Sequence, residues 1–264
     1  MITSTSNQQM KNLAALLKKS KERRIQNVFV VEGTKMVAEA PREWLKAVYV
    51  SESFEKDTEN KKLIHDLISE NVVYDVVADS VFKAVSDTQT PQGILAIATM
   101  PHYNLGDMLK GEDTHLLILE SIQDPGNLGT MIRTGEGAGI TGIVMNKTTV
   151  DLFNPKTIRS TMGSIYRVPF YIAEDLCETM KSLKGQGVKL YAAHLKGTKV
   201  YDEENYCGAT GFLIGNEGNG LSDSIAEQAN TYIKIPMEGQ VESLNAAISA
   251  TLLMYEANRQ RRRK

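Results

Sequence analysis

Cysteine is scarce in this chain of 264 residues: two are present, Cys177 and Cys207, far apart in sequence. A disulfide framework or a cysteine-built zinc site is therefore not expected, and a reducing cytoplasm fits. The four histidines, His65, His102, His115 and His194, show no metal-ligand spacing such as H-E-x-x-H, so no metal is expected either. No apolar run approaches the length needed to cross a bilayer. The opening stretch MITSTSNQQMKNLAALLKK is polar and lacks the apolar core and cleavage site of a signal peptide. An excess of charge of one sign is missing too. Thirty Lys and Arg stand against 32 Asp and Glu, a net charge of −2, so any contact with nucleic acid must come from local basic patches.

Several catalytic signatures are also absent. Gly135, Gly137 and Gly139 fall late in a helical pattern, at the wrong place and spacing for a dinucleotide fingerprint. The run GNEGNG lacks the Lys-Ser/Thr of a phosphate loop, and no serine sits in a nucleophile elbow. Oxidoreduction with a nicotinamide cofactor and nucleotide hydrolysis are both disfavoured. No internal repeat or low-complexity tract is visible.

What is there is an ordinary globular composition, 42% hydrophobic and 23% charged, organised in two stretches. Met10, Leu13, Leu16 and Leu17 recur at helical spacing, predicting an amphipathic helix over 6–19. NVFVVEG, LKAVYVS, VVYDVV and GILAIAT read as strands alternating with short helices, a small α/β domain. MPHYNLGDMLKGEDT then breaks the pattern and reads as a linker, which divides the chain into domains 1–104 and 105–264. The second stretch restarts with HLLILES, an apolar run suited to a strand buried on both faces of a parallel sheet. Further strands, TGIVMN, YRVPFYI, VKLYAAHL, GFLIGNE and TYIKIPM, alternate with helices, predicting an open, mostly parallel sheet with helices on both faces. A last helix from Ser243 is expected to carry Leu244, Ile248, Leu252 and Tyr255 as its apolar stripe.

Three strand ends hold the unusual residues. QDPGNLGTMIR places Asn127 as an expected helix N-cap, with Arg133 about two turns further on. GNEGNGLS surrounds Glu217 with Gly215, Gly218 and Gly220, and PMEGQVESLNAA brings Ser243 and Asn245 to the start of the last helix. Any one loop reads as a turn and a cap. Together, at the carboxyl ends of parallel strands, they read as a site. Two basic clusters stand apart from them. Lys11, Lys18, Lys19, Lys21, Arg23 and Arg24 form the first, from which Lys18, Arg23 and Arg24 are taken as RNA contacts. Arg259, Arg261, Arg262, Arg263 and Lys264 form a tail that reads more simply as a solvated end.

These motifs in this order, Asn127-x5-Arg133, IGNEGNGLS (214–222) and IPMEGQVESLNAAISATLLMYEANRQR (235–261), resemble the SpoU-type RNA 2'-O-ribose methyltransferases of the SPOUT superfamily. The first stretch, with EGTKMVAEA (32–40), is similar to the substrate-binding module of L7Ae/L30e type that often precedes such domains. The resemblance implies a deep trefoil knot in the C-terminal domain and S-adenosylmethionine as methyl donor, contacted at Gly215, Ile235 and Leu244. It implies Asn127, Arg133, Glu217, Ser243 and Asn245 as the polar catalytic group, with Ser243 and Asn245 orienting Arg133 or the hydroxyl and Glu217 bracing the loops. Whether Arg133 also acts as the base stays open. Lys156, Arg159 and Ser164 sit where relatives touch the RNA backbone, although a capped helix with solvated cations explains them equally. Ala246 and Ala247 replace the Val-Ser common in relatives. The implied protein is a homodimer through its C-terminal domain, with the last helix contributing to the interface, and it methylates ribosomal RNA; alternatives are the same reaction on tRNA, or a non-catalytic RNA-binding ribosome-assembly factor.

Overall fold

The computed structural model describes residues 1–263, so Lys264 of the basic tail lies outside the described residues. The chain forms two compact units, Met1–Pro101 with Phe153–Tyr166, and His102–Leu152 with Arg167–Lys264.

In the first unit, α1 (Gln8–Lys18) buries the four apolar residues its spacing selects, Met10, Leu13, Leu16 and Leu17. The expected single helix over 6–19 is instead followed by a second, α2 (Ser20–Gln26), because Lys19 is extended and ends α1. Strands β1 (Val28–Glu32), β2 (Leu45–Ser51), β3 (Tyr74–Val77) and β4 (Ile94–Thr99) form a sheet in the order β1-β4-β2-β3. Strand β4 is antiparallel to both neighbours, while β2 and β3 are parallel. The apolar side of α1 packs with Val30, Tyr49, Leu95 and Ile97 of the sheet and with Phe82 and Val85. The latter two belong to α6 (Asp79–Val85), which follows α3 (Thr34–Glu39), α4 (Glu52–Lys56) and α5 (Lys61–Ser69). The returning segment is fixed by Phe153 against Phe29, with ring centroids 4.9 Å apart, and by Tyr166, whose hydroxyl donates to Met36 O at 2.8 Å.

The second unit opens with β5 (His115–Leu119), α7 (Pro125–Ala138) and β6 (Gly142–Asn146). After α8 (Pro155–Thr161), which lies in the first unit, come β7 (Phe170–Ala173), α9 (Leu176–Gly185), β8 (Lys189–Ala193), β9 (Lys199–Val200), β10 (Thr210–Ile214), α10 (Asp223–Ala226), β11 (Thr231–Lys234) and α11 (Ala246–Arg261). The seven strands run parallel in the order β7-β6-β5-β10-β8-β11-β9. The expected parallel α/β architecture is present, with β5 and β10 buried at every position. Alternation decides which helices they meet. Leu116, Ile118 and Leu213 join Met180, Leu183 and Ile225 of α9 and α10 on one face.

Helices α7 and α11 pack together, with Met254 3.4 Å from where a Cβ at Gly135 would lie, although the nearer obstacle there is Ile140. This packing corrects the expected stripe of the last helix. Its buried residues are Ala247, Ala250, Leu253, Met254 and Ala257, while Ile248 and Tyr255 are 50% and 44% exposed. The helix also begins at Ala246, after Asn245 as its cap, rather than at Ser243.

Candidate functional site

Strand order fixes where a site can form. From β5 the chain moves through α7 to β6 on one side, and from β10 it moves through α10 to β11 on the other. The loops leaving the carboxyl ends of these two adjacent strands therefore diverge, and the crevice between them is the place where open parallel sheets bind ligands.

Asp124, not Asn127, caps α7: its Oδ1 accepts from the Asn127 backbone N at 2.8 Å, and Pro125 follows in the first helical position. Asn127 is thus inside the first turn, with its side chain free to link the loops. Its Nδ2 donates to Glu217 Oε1 at 3.0 Å, and its Oδ1 accepts from Asn245 Nδ2 at 3.0 Å. Asn245 has no choice of orientation, because its Oδ1 accepts from the backbone N of Ala247 and Ile248 as cap of α11. That leaves only its amide nitrogen to meet Asn127, and the Asn127 nitrogen then faces the carboxylate. Glu217 accepts two further bonds, from Gln123 N at 3.0 Å and Asp124 N at 3.1 Å. Partial burial works against its ionisation, but the bonds from Asn127, Gln123 and Asp124 outweigh it and hold the carboxyl below the ordinary glutamate range. A carboxylate so engaged is a brace between loops and a poor proton acceptor.

The loop from Gly215 to Leu221 is pinched shut by reciprocal bonds between Asn216 and Gly220, 3.0 and 2.9 Å long. Gly215 is buried at its base, and a Cβ there would lie 2.1 Å from the Gly220 carbonyl carbon, so no other residue closes this loop. Asn216 ties it to the neighbouring strand end by donating to Ser121 O at 2.9 Å. Ser121 itself adopts φ 55°, and its N–H donates to Asn146 Oδ1. Ile235 and Leu244 are half-buried at the two ends of an irregular segment between β11 and α11.

Asn127, Glu217 and Asn245 are therefore joined. Arg133 and Ser243 are exposed, and neither makes a hydrogen bond to that trio or to the other among the described residues. Helix geometry accounts for Arg133: six residues after Asn127, its side chain leaves α7 about 120° around the axis. Asn245 thus orients Asn127 rather than Arg133.

The expected RNA contacts divide as well. Lys18, Arg24 and Lys156 are exposed. Arg23 is 3% exposed, and its guanidinium donates to Leu16 O at 2.6 Å, closing the carboxyl end of α1. That burial corrects its assignment to RNA. Ser164 is likewise 3% exposed, too buried to meet a phosphate. Arg159 is partly exposed and pairs with Asp87 at 2.8 Å. Of the tail, Arg261 is no solvated end: it donates to Asp113 O, Thr114 O, Gly208 O and Tyr206 O. Arg259 pairs with Glu256, and Arg262 and Arg263 are exposed.

Signals for some missed features were present. A Pro in the first helical turn marks the residue before it as the cap, which selects Asp124. No local pattern marks Ser121 or Arg261.

A parallel sheet with a polar, hydrogen-bonded cluster at its topological switch point is the arrangement in which open α/β sheets bind ligands at their strand ends. Comparison with known proteins sharpens this. Residues 114–255 match the SpoU rRNA Methylase family and residues 7–96 the MRM3-like substrate binding domain. The chain belongs to the SpoU rRNA methylase family and is an RNA methyltransferase. It is 36% identical over 255 residues to the 23S rRNA (guanosine(2553)-2'-O)-methyltransferase RlmP of Bacillus subtilis, covering 96% of this chain and 97% of that one. Among solved structures it is similar to an AdoMet-bound rRNA methyltransferase from Sinorhizobium meliloti, with TM-score 0.86, 29% identity and coverage of 98% and 97%. A further likeness is the SpoU methyltransferase AviRb of Streptomyces viridochromogenes in complex with AdoMet, with TM-score 0.87, 25% identity and coverage of 98% and 100%.

Proposed function

We propose that the protein transfers a methyl group from S-adenosylmethionine to a ribose 2'-hydroxyl of ribosomal RNA. The observation that carries this reading is the Glu217–Asn127–Asn245 chain, which ties three separate loops into one ligand-facing edge. The names of the relatives, an rRNA 2'-O-methyltransferase and AdoMet-bound neighbours, support the ribose target and the donor. Residues 1–104 would hold the RNA and 105–264 carry out the transfer, with the knotted path of the family.

The residues present fit the donor. The pinched loop beginning at Gly215 offers backbone groups, and Ile235 and Leu244 are half-buried apolar side chains suited to walling a nucleoside. When bound, the donor supplies a methyl on a positively charged sulfur. The rest falls to the chain. Glu217, ionised and held by three donors, fixes the loop after β10 against the loop after β5. Asn245 locks the start of α11 to the same point. Arg133, exposed and with donors only, is suited to grip a phosphate and set the ribose oxygen in line, and such positioning can lower a barrier by roughly 7–11 kcal/mol in favourable models. Ser243, exposed beside Leu244, is available to the hydroxyl. Homodimer formation through α11 is part of the proposal, because Ile248 and Tyr255 leave apolar surface on that helix. A cytoplasmic location goes with an RNA substrate.

The test is transfer of label from radiolabelled S-adenosylmethionine to RNA taken from cells lacking the gene, with 2'-O-methylated positions mapped by resistance to alkaline hydrolysis. One protected ribosomal ribose is expected. Label on a base, or none transferred, overturns the reading.

A further inference from the structure

The first unit contains a cleft of about 270 Å³ lined by Glu32, Lys35, Met36, Thr88, Arg159 and Met162, with Thr90 and Gln92 also at its wall. Its unusual member is Glu32, the last residue of β1. Glu32 is 8% exposed, and only one of its carboxylate oxygens is satisfied: Oε1 accepts from the hydroxyls of Ser86 and, at 2.6 Å, of Thr88. The other, Oε2, is buried with no hydrogen-bond partner. Burying a carboxylate with an oxygen left unpaired is unfavourable, and a group that stays so placed points to a donor supplied from outside.

The remaining lining says what kind of donor. Lys35, 3.7 Å from Glu39, and Arg159 bring donors and positive charge to the same cleft, able to face an anionic group. Asp87 occupies one of the N–H donors of Arg159, out of the five a guanidinium carries. Met36, 4% exposed, and Met162, 38% exposed, give the cleft apolar, polarisable surface against which a flat ring can lie. A ligand that combines an N–H edge, a flat ring and a phosphate is a nucleotide. Guanine is the base whose Watson–Crick edge sets two N–H donors side by side, and single-stranded RNA exposes such edges when a base is splayed out.

We propose that this cleft reads an unpaired guanine of the RNA substrate, with the Glu32 carboxylate accepting from its Watson–Crick edge and Arg159 and Lys35 facing its phosphate. The carboxylate torsion is broad, and both hydroxyls that hold Oε1 are rotors. A modest turn of the carboxylate therefore brings Oε2 to the base while Ser86 and Thr88 follow. The proposal rests on the reading of the protein as an RNA methyltransferase and adds a specificity element to it, remote in sequence from the three catalytic loops.

The full chain is tested with fluorescein-labelled single-stranded uridine heptamers that carry one central guanosine, 1-methylguanosine or adenosine, by fluorescence anisotropy. Binding of the guanosine heptamer about tenfold tighter than the other two is expected, the discrimination of one good base contact. Glu32→Gln keeps an acceptor for Ser86 and Thr88 but puts an amide N–H₂ against the base, so the preference for guanosine should vanish. Thr90→Trp, at an exposed position on the wall, should block the cleft and lower guanosine binding to the adenosine level. Equal affinity of the unaltered protein for all three heptamers, or a guanosine preference that survives Glu32→Gln, overturns the assignment. Binding of S-adenosylmethionine by the unaltered protein, measured in parallel, reports on the proposed function alone. If it persists while the guanosine preference is absent, the cleft assignment fails and the methyltransferase reading stands.

Discussion

At their amino ends β5 and β10 run into a sealed edge, and at their carboxyl ends into an open one. Thr114, His115 and Thr210 at the first edge are each 1% exposed, and Arg261 reaches back from the end of α11 to four backbone carbonyls there. At the other edge Gln123, Glu217, Ser243 and Asn245 are all exposed, although Glu217 and Asn245 each take part in three side-chain hydrogen bonds against the four of Arg261. The chemistry of the contacts is alike and the access of water differs. Charge-assisted bonds from one guanidinium to four carbonyls contribute to stability by joining the segments that carry them, here alongside Thr210, which also donates to the carbonyls of Thr114 and Gly208. Bonds that hold exposed side chains in register contribute little to stability and leave polar groups presented to a ligand.

Substitutions at the two edges should therefore separate cleanly. Arg133→Ala, at the open edge, is expected to lower the rate of methyl transfer by roughly 10²–10³-fold, about 3–4 kcal/mol of barrier. Its melting temperature should stay within about 1 °C, as for an exposed residue without partners. Single-turnover kinetics alongside thermal denaturation check both halves; near-normal turnover removes Arg133 from the mechanism. Arg261→Ala, at the sealed edge, should behave inversely. Losing its four carbonyl contacts should cost about 2–3 kcal/mol of stability in urea denaturation, with S-adenosylmethionine affinity changed less than threefold. A loss of cofactor binding that matches the loss of stability would mean that the two ends are not independent.

Much of this division was legible in the sequence, and the reasons it was incomplete are physical. The parallel sheet showed in HLLILES and its successors because a strand covered on both faces must be apolar throughout. The three loops showed because Gly, Asn and Ser cluster where strands end. Hidden from the sequence was the inner face of α11. Large apolar residues mark a stripe through Ile248, Leu252 and Tyr255, yet the buried side, which packs with α7, is built largely of alanines. Hydrophobicity ranks those alanines too low to reveal it. Arg23 was misread for a related reason. A cation in a basic run reads as solvated, but the break at Lys19 carries no Gly or Pro to announce that α1 ends and needs its carbonyls capped. The orphan oxygen of Glu32 leaves no trace in the sequence, since burial is a property of the assembled unit.

The smallest expected effect probes the sealed edge by pH. Both ring nitrogens of His115 are buried without a hydrogen-bond partner, and the ring packs edge-on against Phe212 at 5.8 Å. Burial first, and the charge of Arg261 second, push its imidazole from the ordinary 6.5 down to about 3. An unfolded chain therefore takes up a proton as pH falls below about 6.5, while the folded protein refuses it until about pH 3. Its contribution to stability is complete above the unfolded value and shrinks by about 1.4 kcal/mol per pH unit as pH falls through that window. His115→Leu keeps the volume and removes the titration. Urea denaturation at pH 7, 6 and 5 should show the unaltered protein losing stability relative to the leucine variant by about that amount per unit below 6.5. A stability difference that stays constant across the three pH values would mean that His115 is not held neutral, and that the amino edge is less sealed than its burial indicates.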